Sequence, residues 1–599
     1  MDKKKAYLSY LLLSLIVFFS IGCKNKPPNK IKEIIAPQNA YRYAAVEIQL
    51  STTDPEKNDI FYVVDWGDGT IDTTEESFAS GETAIVAHRY INVGTYQIKA
   101  TAKDDKGNLQ KEWSAPKSIE ILPNEKPTTP VISCEYSSAA KNALLYFEAT
   151  ATDPDGDSIS FQFIWEKGRK SNWSQFVPSG GKILDTYRFK EPKTYDVKVV
   201  AKDKKGGLSD TSQPFTITVL DEGYVIRKYQ TAEEDGFLSS PAEIDVAGEK
   251  CLGIGCSDYG YLYFFKIPTL SVKTKENNYV GLAADAYFQC TVTCDNSFVY
   301  AVEDNDIGNH LHILNKYDLK NYWYYPERNE TTQITTAVCV FGQYAAFGCK
   351  DTLVILDVSS KSVHRKVYIG AEINSAPVEN SQGEIIFGAN DGKLYKVTLT
   401  GEVSVLYDFG NANPFENNSP ILDNNRNIYV ANKNIIISLT PNGILRWCDT
   451  LESEIGQLAI GPDNYLYFGT DQGKIYALSL SDGKIKANYP ITIVGASFHS
   501  APLFAQDNIF YIYNNDDEIL YSLEVSGKVR WYCDVTEVVA KTLEEPSELV
   551  SPIIGPDGNI YIGASDGVYV VQGRATGTPL TNSPWPRWRR NNWNTGSLR

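Results

Sequence analysis

Residues 551–563 read SPIIGPDGNIYIG, and residues 566–569 continue as DGVY. The two Asp-Gly pairs supply the positive backbone φ that tight β-hairpin turns require. The runs beside these pairs are rich in Ile, Val and Tyr, which favour the pleated strand conformation. The stretch therefore predicts three short antiparallel strands joined by tight turns.

The same unit recurs along the last 370 or so residues of the chain. A spacing of about 37 to 54 residues is in the range of a four-stranded blade repeated around a central axis. We therefore predict an eight-bladed β-propeller over residues 222–599. Three of the units match the pattern less well than the other five, which leaves seven blades as the alternative. Equivalent units begin near Ser239, Cys290, Thr336, Ser375, Ser419, Gly456, Ser500 and Ser551.

The better-preserved units resemble PQQ-like repeats, for example residues 461–478, which read GPDNYLYFGTDQGKIYAL. Residues 443–447 (GILRW) and 527–531 (GKVRW) resemble the outer strand of such a repeat. The resemblance implies that Trp447 and Trp531 are the tryptophans that dock one blade against the next.

The C-terminal segment resembles the sequence that flanks PQQ-like propellers, since it carries Trp-Pro-Arg-Trp at 585–588 and Thr-Gly at 595–596. The resemblance implies that Trp585, Trp588 and Trp593 help to close the ring. Three tryptophans in nine residues are also costly to leave in solvent. The alternative is a cationic ligand surface, in which these rings alternate with charged side chains. Its cations would be Arg587, Arg589 and Arg590.

Two modules of about 100 residues precede the propeller, at 33–122 and 123–221, and they repeat each other at an offset of 99 residues. Each shows short alternating runs bounded by Asp and Gly, as expected of an antiparallel β-sandwich. The first, with VDWGDG at 64–69 and HRY at 88–90, resembles a PKD domain, an immunoglobulin-like module. The second is a divergent relative, with a PKD-like or cadherin-like sandwich. The offset aligns Asp54 with Asp153, Trp66 with Trp165, and Tyr96 with Tyr195.

An acidic loop in the second module is a candidate metal site. Residues 153–157 read DPDGD, which places Asp153, Asp155 and Asp157 at alternating positions of a turn. A resemblance to cadherin-like loops implies that Asp203 lies near them. Carboxylate oxygens at this spacing suit Ca²⁺. The alternative is a solvated Asx turn that needs no ion.

The N-terminus resembles a bacterial lipoprotein signal. Lys3 to Lys5 form a basic segment, an apolar run follows, and SIGC at 20–23 resembles a lipobox. We expect residues 1–22 to be removed, Cys23 to carry the lipid, and the polar residues 23–32 to form a tether. An ordinary secretory peptide with an incidental cysteine is the alternative. Either interpretation predicts export, and the first predicts a lipoprotein of the outer membrane, periplasm or cell surface.

Charge and residue types exclude several functions. The net charge of −17 would repel a phosphate backbone, so we expect no nucleic-acid partner. The chain has five histidines, and none lies in a hydrolase motif. His499 is close to the predicted channel, where a packed or hydrogen-bonded role is the simpler expectation. The sequence has no Cys-Cys pair, which the quinoprotein dehydrogenases among PQQ-like propellers carry beside their cofactor.

We therefore predict a non-enzymatic binding or scaffold protein without a quinone cofactor. It would present its propeller to a protein or carbohydrate of the envelope or extracellular space. One alternative is a PQQ-dependent oxidoreductase. Another is an accessory lipoprotein of outer-membrane assembly, by analogy of fold with the lipid-anchored eight-bladed propeller that has this role.

Overall fold

The computed structural model describes residues 25–230, 236–256, 261–277, 291–303, 309–327, 332–410, 414–415, 418–536, 550–574, 583–587, 589–591 and 594–598. Every regular element in these ranges is a β-strand, which confirms the all-β prediction. None of the described elements is a helix that is long and apolar enough to cross a bilayer. Cys23 lies outside the described residues.

The chain divides into two compact units, and the division passes through the second sandwich. The first unit extends to Cys134 and includes Tyr146–Thr186 and Asp196–Phe215. The second unit comprises Glu135–Leu145, Tyr187–Tyr195 and Thr216–Arg599. The contacts of Arg42 with Asn124 and Glu125 therefore lie within the first unit, and those of Ser138–Ala140 with the propeller lie within the second.

The first sandwich has one five-stranded sheet, in the order β1-β7-β6-β3-β4, and one two-stranded sheet, β2-β5. Side chains of β2 alternate between buried and exposed, so Val46, Ile48 and Leu50 enter the core. Residues 25–32, expected to be a tether, run beside this sandwich, and Ile31 is buried in its core. The strands are β1 (Asn39–Tyr41), β2 (Val46–Ser51), β3 (Ile60–Asp65), β4 (Ile71–Thr73), β5 (Thr83–His88), β6 (Gly94–Asp104) and β7 (Lys117–Leu122).

The packing around Trp66 explains why the WGDG motif of the first sandwich begins with Trp and Gly. Trp66 is fully buried and donates from Nε1 to Asp72 at 2.9 Å, while its carbonyl accepts from the Tyr90 hydroxyl. Gly67 has a φ of 78°, and a Cβ there would meet the backbone oxygen of Gln97 at 2.8 Å. The close approach of β6 therefore requires glycine after this tryptophan.

The second sandwich has a four-stranded sheet, in the order β11-β13-β14-β9, and a three-stranded sheet, in the order β12-β10-β8. Strand β10 pairs with β8, β11 pairs with β13, and β14 pairs in parallel with β9. Phe189 replaces Tyr90 at the equivalent position and packs on Tyr195, as Tyr90 packs on Tyr96. The strands are β8 (Val131–Cys134), β9 (Ser138–Ala140), β10 (Leu145–Thr150), β11 (Ile159–Ile164), β12 (Lys182–Tyr187), β13 (Thr194–Asp203) and β14 (Phe215–Leu220).

In the described part of the chain after the sandwiches, eight four-stranded antiparallel sheets follow, which is the number that the prediction of eight blades requires. The first strand of each blade is here called its inner strand, and blade eight takes its outer strand, β15, from the start of the domain. Because β15 pairs with β46, the two ends of the repeat array close the ring.

The strand bounds of the first four blades are as follows. Blade one has β16 (Ala242–Val246), β17 (Glu249–Gly255), β18 (Tyr261–Lys266) and β19 (Ser271–Asn277). Blade two has β20 (Thr293–Cys294), β21 (Phe298–Glu303), β22 (His310–Asn315) and β23 (Asn321–Tyr325). Blade three has β24 (Cys339–Phe341), β25 (Tyr344–Cys349), β26 (Thr352–Asp357) and β27 (Ser362–Tyr368). Blade four has β28 (Val378–Glu379), β29 (Glu384–Gly388), β30 (Lys393–Thr398) and β31 (Val403–Asp408).

The other four blades have the same plan. Blade five has β32 (Ile421–Leu422), β33 (Ile428–Asn432), β34 (Ile435–Leu439) and β35 (Leu445–Thr450). Blade six has β36 (Ala459–Ile460), β37 (Tyr465–Gly469), β38 (Lys474–Ser479) and β39 (Ile491–Thr492). Blade seven has β40 (Leu503–Phe504), β41 (Ile509–Asn514), β42 (Ile519–Glu524) and β43 (Val529–Asp534). Blade eight has β44 (Ile553–Ile554), β45 (Ile560–Ala564), β46 (Gly567–Val571) and β15 (Val225–Tyr229).

The repeated Asp and Tyr of the blade sequence form a hydrogen bond that is at least partly buried. In blade eight the Tyr561 hydroxyl donates to the Asp557 carboxylate at 2.9 Å. Burial, together with the nearby carboxylate, raises the pKa of Tyr561, so the hydroxyl remains a donor. The turn aspartate thus supplies the acceptor that a buried tyrosine needs. The same pair recurs as Asp295–Tyr300, Asp423–Tyr429 and Asp463–Tyr467.

Candidate functional site

The C-terminal segment lies against the inner strands of the propeller. Ile460 of blade six donates its backbone N–H to the carbonyl of Trp585 at 2.7 Å, and Phe504 of blade seven donates to that of Pro586. Residues 594–597 continue past other blades. Their partners are Pro241 in blade one, Val292 in blade two, Val340 in blade three and Glu379 in blade four.

Two arginines of this segment are fully buried. Arg587 donates to the carbonyl of Pro552, before blade eight. Arg589, 1% exposed, donates to the carbonyls of Pro377 and Val338 at 2.7 and 2.8 Å. Burial lowers the pKa of Arg587 to about 9. These acceptors are backbone carbonyl oxygens at the inner edges of blades three, four and eight, so the arginines bind the segment to the ring.

The alternative of a cationic ligand surface is therefore wrong for Arg587 and Arg589, because neither guanidinium reaches the surface. The sequence could not indicate this, since the carbonyls that accept from them are distant along the chain. Arg590 is more open and donates to the carbonyl of Ser597. Trp585 is buried in the core cluster of blades four to six, whereas Trp588 and Trp593 lie outside the described residues.

The two outer-strand tryptophans lie at blade boundaries. Trp447 of blade five donates from Nε1 to the carbonyl of Leu480 in blade six at 3.2 Å. Trp531 of blade seven is fully buried against Gly223, just before β15 of blade eight. A Cβ on Gly223 would lie 2.4 Å from the Trp531 ring.

Strand β9 of the second sandwich packs against the outer strand of blade seven. The Ser138 hydroxyl donates to the carbonyl of Val529, and the Tyr532 hydroxyl donates to that of Leu144 at 2.7 Å. The rings of Tyr136 and Tyr532 lie 5.3 Å apart. Polar bonds and aromatic packing together hold β9 and the residues beside it against this blade.

The two faces of the propeller carry different connections. The segments that join the outer strand of one blade to the inner strand of the next all start and end at one face, here called the connection face. Among the connections whose residues are all described, the longest is 493–502, between blades six and seven. The connection face also carries Val494, which is 89% exposed. The opposite face carries the hairpins between the first and second and between the third and fourth strands of each blade, such as the turn at Lys484, whereas the hairpins between the second and third strands lie on the connection face.

His499, which was expected near the channel, forms a hydrogen bond within its own loop. Nε2 of His499 lies 2.9 Å from the Ser497 hydroxyl. The side chain is half-buried, and the backbone of His499 packs against Gly456. These contacts describe a hydrogen-bonded residue of the loop between blades six and seven.

The structure brings together three of the four aspartates expected to bind a metal. One carboxylate oxygen from each of Asp153, Asp155 and Asp157 lies within 4.8 Å of the other two. Burial raises the pKa of Asp153, and the nearby carboxylates of Asp203 and Asp157 add to this effect. The fourth, Asp203, is not part of this group. Its carboxylate oxygens accept hydrogen bonds from the backbone N–H of Gly207 and from the Asn124 amide.

Asn124 was not among the predicted residues. It belongs to the connection between the sandwiches, is 1% exposed, and donates to Asp203 at 2.9 Å. A sequence signal for it exists, because the offset that aligns Asp153 with Asp54 also aligns Asn124 with Asn25. Asn25 makes the corresponding bond to Asp104 in the first sandwich.

Comparison with known proteins supports the repeat assignment. The family model described as outer membrane protein assembly factor BamB, a PQQ-like repeat family, matches residues 432–597. The PQQ-like resemblance of the repeats is thereby confirmed for blades five to eight.

Three solved structures resemble parts of the chain. BamB from Moraxella catarrhalis is 13% identical and covers 59% of this chain and 98% of its own, with a TM-score of 0.44. A streptogramin B lyase is 14% identical over 47% of this chain and 92% of its own, with a TM-score of 0.36. The PKD domain of an M14-like peptidase from Thermoplasmatales archaeon SCGC AB-540-F20 is 31% identical over 16% of this chain and 97% of that domain, with a TM-score of 0.15.

Proposed function

We propose that this chain is a non-enzymatic scaffold protein of the bacterial envelope, anchored by lipid at Cys23, whose propeller binds a protein or a carbohydrate. The observation that carries the proposal is the course of the C-terminal segment. It bonds to the inner strands around the axis, where a propeller enzyme would place a cofactor or substrate. This leaves the outer surfaces, above all the connection face, as the place for a partner.

The quinoprotein alternative conflicts with the same observation. A quinone and its Ca²⁺ on the axis would compete with Arg587 and Arg589 for space, and removing buried, bonded cations from their carbonyl partners is costly. The vicinal cysteines of those enzymes are also missing from the sequence. We expect no change of quinone absorbance and no dye reduction when the protein is mixed with pyrroloquinoline quinone and Ca²⁺.

The assembly alternative is a special case of the binding proposal. The family model that matches residues 432–597 is described as an outer membrane protein assembly factor. If this chain has such a role, its partner is a protein of the envelope rather than a glycan. A partner of either kind would need access to exposed side chains, and the connection face offers them in Glu372, Glu452 and Asp471.

Site-specific photo-crosslinking in living cells tests the proposal. A photoreactive amino acid at Val494, on the connection face, should give adducts with one defined partner. The matched control is the same amino acid at Lys484, which is 81% exposed on the opposite face of the same blade. Adducts at Val494 alone, identified by mass spectrometry and reproduced with purified partner, would support the proposal.

A glycan partner would give no protein adduct but would bind the purified protein on a glycan array. The absence of adducts at Val494, together with no binding on the glycan array, would contradict the binding proposal. Equal adducts at Val494 and Lys484 would also count against it, because they would indicate nonspecific contact.

A further inference from the structure

Three blades carry a cationic side chain at one equivalent position, three residues after the glycine of the turn that follows the third strand. In blade six this residue is Lys486, which forms an ion pair with Asp463. In blade seven it is Arg530, which forms an ion pair with Glu222. In blade five it is Arg446, and its hydrogen bonds go to hydroxyl groups. As far as the structure describes these three blades, only blade five leaves the cation without a carboxylate.

The guanidinium of Arg446 is only partly used. Its Nη1 donates to the Ser438 hydroxyl at 2.6 Å and to the Tyr429 hydroxyl at 2.9 Å. Its Nη2 has no acceptor among the described residues. Arg530 uses Nη1 for the equivalent serine and both terminal nitrogens for Glu222. The nitrogen Nη2 therefore holds a carboxylate in blade seven and is available in blade five.

Arg446 lines a cavity of about 350 Å³ between blades five and six, at the face opposite the connection face. Ligand pockets span about 300–1,000 Å³, so this cavity suits a small group such as one sugar ring. Asn424, Asn425 and Asn464 also line it, and their side-chain amides form no hydrogen bond with the described residues. An amide group both donates and accepts hydrogen bonds, as a sugar hydroxyl does. The cavity therefore combines one cation with amides that suit hydroxyl groups.

Blade six has a counterpart of Glu222 beside this cavity. In blades six and eight a glycine of positive φ, Gly483 or Gly223, lies against the ring of the docking tryptophan of the preceding blade. Each of these glycines donates its backbone N–H to a carbonyl at or next to the end of the third strand. The residue just before the glycine is Glu222 in blade eight and Asp482 in blade six. Asp482 is therefore the residue that would have to fill the cavity from within the chain.

Asp482 does not fill it. Its side chain is one methylene shorter than that of Glu222, and its carboxylate pairs with Lys484 at 2.8 Å. The side chain is 44% exposed, and Asp482 is not among the residues that line the cavity. The chain thus places its own carboxylate on the arginine of blade seven and leaves the equivalent place in blade five to a ligand.

We propose that the cavity between blades five and six binds a carboxylated sugar, a uronic acid unit of an acidic glycan, with its carboxylate on Arg446. A guanidinium binds a carboxylate through two parallel hydrogen bonds, as Arg530 does with Glu222. The asparagine amides would bind the ring hydroxyl groups. An acidic peptide would supply the carboxylate but few hydroxyl groups, so the amides favour the sugar. The site is opposite the connection face and does not depend on the partner proposed there.

Asp423, which also lines the cavity, does not take the place of the ligand carboxylate. Its Oδ1 accepts from the backbone of Asn425 and Asn427, and its Oδ2 accepts from the Asn427 amide and the Tyr429 hydroxyl. The Tyr429 hydroxyl in turn accepts from Arg446. Asp423 is thus a positioning residue, which orients the tyrosine and leaves Nη2 of the arginine to the ligand.

Saturation-transfer NMR with the full-length protein tests the site, with glucuronic acid as the probe and glucose as its uncharged counterpart. We expect a dissociation constant of about 1 mM for glucuronic acid, as is reasonable for a ligand of this size, and much weaker binding of glucose. Arg446→Lys keeps the charge but loses the planar fork, so it should weaken binding of glucuronic acid about tenfold. Arg426→Lys is the matched control, because Arg426 is adjacent to Asn425 but does not line the cavity.

Asp482→Glu provides a second variant at an exposed position, where the fold should not change. It copies Glu222 and keeps the net charge, so its carboxylate should reach Arg446 and exclude the probe. We expect about tenfold weaker binding of glucuronic acid without a lower melting temperature. Adducts from a photoreactive residue at Val494 should be unchanged in this variant, which separates the cavity from the function proposed for the connection face.

The proposal would be overturned if the wild type does not bind glucuronic acid at about 10 mM. Equal binding of glucuronic acid by the wild type, Arg446→Lys and Asp482→Glu would also overturn it, because the probe would then bind elsewhere. A third comparison uses the capped dipeptide Glu-Gly, which copies residues 222–223. Tighter binding of this dipeptide than of glucuronic acid would assign the cavity to an acidic peptide instead of a sugar.

Discussion

Arg530, on the outer strand of blade seven, forms a buried ion pair with Glu222, in the connection between the second sandwich and β15. Both terminal nitrogens of the guanidinium donate to Glu222, Nη2 to Oε1 and Nη1 to Oε2, the latter at 3.2 Å. Each of the two residues is less than one tenth exposed. The pair fixes the point at which the chain enters the propeller.

Replacing this arginine should destabilise the propeller strongly. Arg530→Met leaves Glu222 buried without a cation, and breaking such a pair costs about 3–5 kcal/mol in the free energy of unfolding. Chemical denaturation followed by tryptophan fluorescence measures the effect, since Trp531 is adjacent in sequence. The double variant Arg530→Met, Glu222→Gln should recover part of the loss, because no charge is then left unpaired.

Blade five provides a matched control. Arg446 holds the equivalent position, and its guanidinium donates to Ser438 and Tyr429 rather than to a carboxylate. Arg446→Met should therefore lower the free energy of unfolding by less than Arg530→Met does. Equal losses of unfolding free energy in the two variants would show that the ion pair with Glu222 adds nothing to stability.

Removing the C-terminal segment should make a buried thiol reactive. The Cys339 thiol donates to the carbonyl of Gly596 at 3.2 Å, and burial raises the pKa of Cys339 to about 12. The reactive thiolate is then about one part in ten thousand at pH 8, so the intact protein should not be alkylated there. A chain truncated after residue 582 loses this cover, and Cys339 should react with iodoacetamide, as measured by peptide mass spectrometry.

Two cysteines serve as controls in that experiment. Cys448 is exposed on an outer strand and should react in both proteins, whereas Cys294 is buried between blades one and two and should react in neither. Reaction of Cys294 in the truncated chain would indicate general unfolding. Protection of Cys339 after truncation would contradict the packing of the segment against blade three.

The sequence predicts the blades because each blade is a local pattern. The Asp557 and Tyr561 of one turn meet within a single hairpin, so their spacing is visible in the sequence. The course of the C-terminal segment is not visible, because Arg589 bonds to Val338, some 250 residues earlier. Asn124 lies between these cases, since only the alignment of the two sandwiches identifies it.

Gly223 should tolerate alanine poorly. Its φ is 78°, and a Cβ there would meet the Trp531 ring at 2.4 Å, so Gly223→Ala combines backbone strain with a clash. Gly248 in blade one has a φ of 84° and open space around its Cβ position, so Gly248→Ala reports the strain alone. We expect Gly223→Ala to lower the melting temperature several degrees more than Gly248→Ala. Equal shifts would mean that the Trp531 contact is easily rearranged.

Cys23 should determine where the protein is found in the cell. If a lipid is attached to this cysteine, labelling with a radioactive fatty acid marks the protein, and the protein sediments with membranes. Cys23→Ser removes the sulfur atom that would carry the lipid thioether. Because the acyl chains supply the free energy of membrane binding, both the fatty-acid label and the sedimentation with membranes should be lost. Cys448→Ser controls for general effects of losing a thiol. A Cys23→Ser protein that remains in the membrane fraction and keeps its label would contradict lipid anchoring at Cys23. Its release, unlabelled, into the periplasm or the medium would support both export and lipidation.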